Sequence, residues 1–122
     1  MFRKGIILSE TDYRLLWGDF DEILRERIEE LEEEERDELV KSRKKLEDWV
    51  KEQVIEMFDF VLEDHDAEEA VIFLKGKCHY VPDGEEFYYL SYREGMISAV
   101  VEELEEELRG GIKESVRRLR VR

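Results

Sequence analysis

The chain reads as a mainly α protein, a helical hairpin or long-helix bundle with a small β-hairpin packed on it. Three observations predict this. No Gly or Pro interrupts the stretch between Gly18 and Gly76, whose residues are mostly strong helix formers. Apolar residues recur there at helical spacing, first as Phe20, Ile23, Leu24, Ile28 and Leu31, then as Leu39, Leu46, Val50, Val54, Met57 and Val61. One turn signal, Pro82-Asp83-Gly84, lies between two runs of strand-forming residues, Cys78 to Val81 and Phe87 to Leu90. With 122 residues, 42% of them hydrophobic, a single domain over 1–122 with one core is expected.

Each element has its own signal. Ser9 with Asp12 and Asp19 with Glu22 place a capping oxygen three residues before a carboxylate, which predicts a short helix over 10–17, a break at Gly18 and a second helix from Phe20. Residues 32–38 are all charged and the apolar stripe lapses there. A single helix over 20–62 would run roughly 65 Å, against a diameter of about 35 Å for a domain of this size. Either the chain turns back within 33–38, or one long helix projects and pairs with a second copy. Opposite charges favour the turn, because Lys41, Arg43, Lys44 and Lys45 would fold beside the acids of 29–38. Asp66 with Glu69 and the closing Gly76 predict a helix over 67–75, although Val71, Ile72 and Phe73 also suit a strand. The β-hairpin follows at about 78–90. Ser91 with Glu94 then caps a helix bearing Ile97, Val101, Leu104 and Leu108, which Gly110-Gly111 ends. A short basic segment, 112–122, closes the chain, with Ile112, Val116 and Leu119 on one helical face.

Composition bounds the partners more than the chemistry. Thirty-four acids against 20 Lys and Arg give a net charge of −14, which argues against a nucleic-acid binder because phosphate contacts need a basic face. The chain has no Asn, one Gln, one Thr and one Cys but abundant Glu, Lys and Arg, a hyperthermophile pattern. A lone Cys78 forms no intramolecular disulfide. Ile6-Ile7-Leu8 is too short for a signal peptide or a membrane span, so a cytoplasmic protein without membrane contact is expected. The basic tail, +4 against −18 for the rest, is expected to dock on acidic helix surface.

Two carboxylate sets carry the sharpest chemistry. Glu29, Glu30 and Glu33 on one helix and Glu56 and Asp59 on its neighbour have the i, i+3 and i, i+4 spacing that turns acids to one side, where they would hold Mg²⁺ against a triphosphate. This pattern resembles the acidic signature of the all-α nucleoside triphosphate pyrophosphatases, the MazG-like group. The resemblance implies Mg²⁺ as cofactor and pyrophosphohydrolysis as activity. His65, Cys78 and His79 have no metal-ligand spacing.

The residues themselves favour a different function, a small helical interaction or assembly protein that pairs as a dimer and needs no cofactor. Long helices with one apolar seam need a partner. The seam residues are Leu46, Val50, Val54, Met57 and Val61 on one helix and Ile97, Val101, Leu104 and Leu108 on another, joined by Tyr80 and Tyr88 on the hairpin. The acidic charge also fits an antagonist of a nucleic-acid-binding protein.

Overall fold

Strand β1 (Gly5–Leu8) leads directly into helix α1 (Glu10–Glu30), and Ser9 makes the joint. Its hydroxyl accepts the Asp12 N–H while the Asp12 carboxylate accepts the Ser9 N–H, the reciprocal cap the sequence predicts. The structure, a computed structural model, describes residues 4–121, with side chains described through residue 110. The fold is mainly α, with a small sheet packed on the helices.

Helix α1 does not break at Gly18. A helical glycine costs only about 1 kcal/mol relative to alanine. Tyr13, Trp17, Phe20, Leu24 and Ile28 form one buried stripe that runs across it. Continuous burial outweighs the local penalty.

The chain turns at Leu31 and Glu32, both extended, earlier than expected. Residues 33–38, the predicted site of the turn, open helix α2 (Glu33–Lys41) instead. Three glutamates in its first turn face the positive end of the helix dipole. Arg36 reaches back to accept its place at the end of α1, donating to the carbonyls of Ile28, at 3.0 Å, and Glu29. The charged run therefore opens a short helix, and its one base, Arg36, closes the helix before it. Ser42 then caps helix α3 (Arg43–Asp64), its hydroxyl accepting the Lys45 N–H.

The β structure also moves. Residues expected as a helix over 67–75 form strand β2 (Glu69–Leu74), with Ala70, Ile72 and Leu74 buried in alternation. Lys75 and Gly76, at φ of 51° and 77°, make a two-residue turn into β3 (Lys77–Val81). The hairpin is thus 69–81, not 78–90. The sheet order is β1-β2-β3, with β1 parallel and β3 antiparallel to β2.

Phe87 to Leu90, expected as the second hairpin strand, lie inside helix α4 (Gly84–Arg93), whose N-cap Asp83 accepts the Glu86 N–H at 2.9 Å. Ser91 is no cap but is buried inside α4, its hydroxyl 3.0 Å from that of Tyr13. Burial holds the Tyr13 phenol above its ordinary pKa, an effect the Ser91 hydrogen bond partly offsets. Gly95, at φ 81°, separates α4 from α5 (Met96–Val121), which continues through Gly110 and Gly111. The proposed docking of Ile112, Val116, Leu119 and the basic side chains of 113–122 lies outside the described side chains.

Phe87 of α4 sits at the centre of the core. Its ring stacks on Phe58 at 4.2 Å and meets Tyr13, Trp17 and Phe20 at 5.5–6.0 Å. Helix α4 can lie this close because Gly84 has no side chain: a Cβ there would fall 2.4 Å from the Ile55 carbonyl oxygen of α3. Arg25 ties α1 to α5 through Glu103 and Glu107.

Candidate functional site

The expected seam residues lie inside the protomer. Leu46, Val50, Val54, Ile97, Val101 and Leu104 are fully buried and Met57 nearly so, while Val61 and Leu108 pack partly buried against them. The physical reason is that α4 and α5 of the same chain lie on the seam of α3. Tyr88 is also buried, with the Lys51 ammonium 5.5 Å over its ring. Tyr80 alone of the expected interface residues is largely exposed, and its hydroxyl donates to Glu69. None of the buried seam faces solvent, so contact with a second copy has to use other residues.

The carboxylates are not brought together either. Glu29 and Glu30 end α1, Glu33 begins α2, and Glu56 and Asp59 lie on α3, all exposed. Glu56 lies 3.6 Å from Arg27, and the Asp59 carboxylate accepts the Gly84 N–H at 2.8 Å. Among the described residues no three His, Cys, Asp or Glu side chains gather as metal ligands. The extra turn at Leu31 puts Glu33 on a separate helix from Glu29 and Glu30, which removes the shared face on which the MazG-like resemblance rests.

The three most exposed large apolar residues described lie on β1, α1 and α3. Ile7, Leu15 and Phe60 are 73%, 65% and 67% exposed. Two grooves run between them. One, of about 430 Å³, lies beside β1, where Ile6, Leu8, Leu15, Leu16 and Val61 are joined by the polar Asp12, Asp19 and His65. The next, of about 340 Å³, lies between Phe20 and Ile23 of α1 and Met57 and Phe60 of α3, with Arg27 and Glu56 also lining it. Val61 lines both, so the grooves meet.

No family model, curated protein or solved structure matches this chain. Its reading therefore rests on geometry. The outer face of the sheet continues the uncovered surface, since the register sets Ile7, Val71 and Tyr80 in one row across the three strands and Phe73 beside Cys78 in the next. Scattered exposed apolar residues are ordinary, whereas a contiguous patch marks an interaction surface. Sequence periodicity pointed at residues that the protomer buries for itself, because it finds every apolar face and cannot tell which one the chain covers. The isolated Leu15 and Phe60, off the main stripes of their helices, were the available signal. Among the described residues no helix is long and apolar enough to cross a membrane.

Proposed function

We propose that the protein works by assembly, as a small helical interaction protein that pairs with a second copy through the side formed by β1, α1 and α3. One observation carries this reading: Ile7, Leu15 and Phe60 stand exposed around two adjoining grooves of mixed apolar and polar lining. Burying such side chains is worth about 1.5–3 kcal/mol each, a favourable contribution to a complex that covers them. The carboxylates that would hold Mg²⁺ are dispersed, so the pyrophosphohydrolase has no comparable support.

Sedimentation equilibrium tests the reading. At micromolar concentration the wild type is expected at twice its monomer mass of 14.8 kDa. Leu15→Glu places a charge on the patch at an exposed site, so it should keep the helical circular dichroism and raise the dimer dissociation constant at least about tenfold. A wild type that stays monomeric up to 0.1 mM, on the order of the weakest useful self-association, contradicts the reading.

A further inference from the structure

The edge of β1 is built to pair with itself. Backbone groups of a strand alternate in direction, and two observations fix the alternation here. The Lys4 carbonyl accepts the Glu68 N–H at 2.8 Å, so the groups of Lys4, Ile6 and Leu8 face β2. The two-residue turn at Lys75-Gly76 makes Leu74 and Lys77 a hydrogen-bonded pair, which turns Ala70, Ile72 and Leu74 toward β3 and leaves Val71 and Phe73 to serve β1. By alternation, the N–H and C=O of Gly5 and Ile7 face the open edge, where the described residues provide no strand. Natural sheets protect such an edge with charge, proline or a bulge. Gly-Ile-Ile-Leu carries none of these, and Ile7 is the most exposed large apolar residue described.

We infer that two copies join through antiparallel pairing of their β1 strands, centred on Ile6, to form one continuous six-stranded sheet. This rests on the self-association proposed above and specifies how it is achieved. Centring on Ile6 sets Gly5 of each copy opposite Ile7 of the second copy, so all four open groups of each strand find partners in four hydrogen bonds. The register centred on Ile7 and the odd offsets do worse. Centring on Ile7 would set Gly5 opposite Ser9, whose N–H is committed to the Asp12 carboxylate and whose carbonyl accepts the Tyr13 N–H. An odd offset would set Gly5 opposite a residue whose groups already serve β2.

Side chains agree with this register. Residues opposite one another share a sheet face, so outward Ile7 meets outward Gly5 and inward Ile6 meets inward Ile6. Both copies then keep their helices on one side of the sheet, where each closes the groove beside the other's β1, rimmed by Leu15. Hydrogen bonding, not charge, selects the antiparallel sense: Lys4 at the start of the strand is already paired with Asp66 at 2.6 Å, and Asp12 beyond its end already accepts the Ser9 N–H.

Single cysteines on a Cys78→Ser background test the register, each protein being oxidised at micromolar concentration and its mass measured in parallel by sedimentation. Ile6→Cys should give a covalent dimer in majority yield, because a non-hydrogen-bonded antiparallel pair brings the two Cα atoms to about 4.5 Å, within disulfide reach. Ile7→Cys and Leu8→Cys should give less than about a tenth of that yield, since their equivalents are offset along the strands. Strongest coupling at position 7 or 8, or a dimeric mass with no coupling at any of the three, overturns the proposal and leaves self-association standing. A monomeric wild type removes both. As a second arm free of cysteine, Ile7→Pro deletes an N–H that makes no bond among the described residues of the protomer, so it should preserve the fold while raising the dissociation constant more than about tenfold over Ile7→Thr. Equal constants for these two variants also overturn it.

Discussion

Gly84→Ala should be the most damaging single-methyl change in the protein. The added Cβ would stand 2.4, 2.7 and 2.9 Å from the carbonyl oxygen, Cα and carbonyl carbon of Ile55, all backbone atoms of α3 that no rotamer change can move. Relief requires α4 to shift away from α3, which would stretch the 2.8 Å bond from the Gly84 N–H to Asp59 and unseat Phe87. Overpacking where side chains can yield costs about 1–3 kcal/mol, so a backbone clash should reach about 3 kcal/mol or more. The melting temperature should then fall by roughly 15 °C. A fall of less than about 4 °C in a thermal scan would mean that α4 is not packed as described.

Phe87→Ala should be comparably severe for the opposite reason, because it leaves space. Phe87 is fully buried and its ring touches rings from α1 and α3 at once, so its removal hollows the point where three helices meet. Large-to-small changes at aromatic core sites cost about 3–5 kcal/mol. Phe87→Leu should restore much of that by refilling volume. Chemical denaturation with circular dichroism checks both, and near-ultraviolet signals from Trp17 should weaken in the alanine variant even where the helices persist. An alanine variant within about 1 kcal/mol of wild type would show that Phe87 is not the centre of the core.

These two positions also show where the sequence was legible and where it was not. Helical content and the Ser9 cap were readable because they depend on local spacing. The segment from Pro82 to Leu90 was misread because Pro-Asp-Gly is a turn signal and the aromatic run after it is strand-like. Asp83 followed three residues later by Glu86 was a helix start of the same kind as Ser9 and Asp12, and tertiary contact decided between them: as a helix, 84–93 delivers Phe87 to the core. Similarly, Val71, Ile72 and Phe73 suited both a strand and a helix until the Lys75-Gly76 turn supplied a hairpin partner. The charged run was read as a turn because it lacks apolar residues, yet α2 needs only Leu39 for its anchor and Arg36 for its join to α1.

For the functional surface, periodicity identified the apolar seams but not their partners. Leu46, Val50 and Val54 look from the sequence just as they would in a dimer interface, and long-range packing by α4 and α5 covers them. What remains open is set by topology: β1 enters at the edge of the sheet, and Ile7 and Leu15 are left outside the core. Net charge of −14 on each copy opposes association, so raising salt should tighten a dimer held by apolar contact and backbone hydrogen bonds.

Amide hydrogen exchange at Ile7, followed by NMR from low micromolar to millimolar protein, tests the central claim most directly. Within one protomer the Ile7 N–H faces the open edge, while the Val71 N–H serves the β1–β2 pairing and provides an internal reference. The account predicts that Ile7 exchanges freely when dilute and gains protection as dimer forms, with Val71 protected throughout. An Ile7 amide that exchanges at the unprotected rate at every concentration where sedimentation gives twice the monomer mass would contradict it.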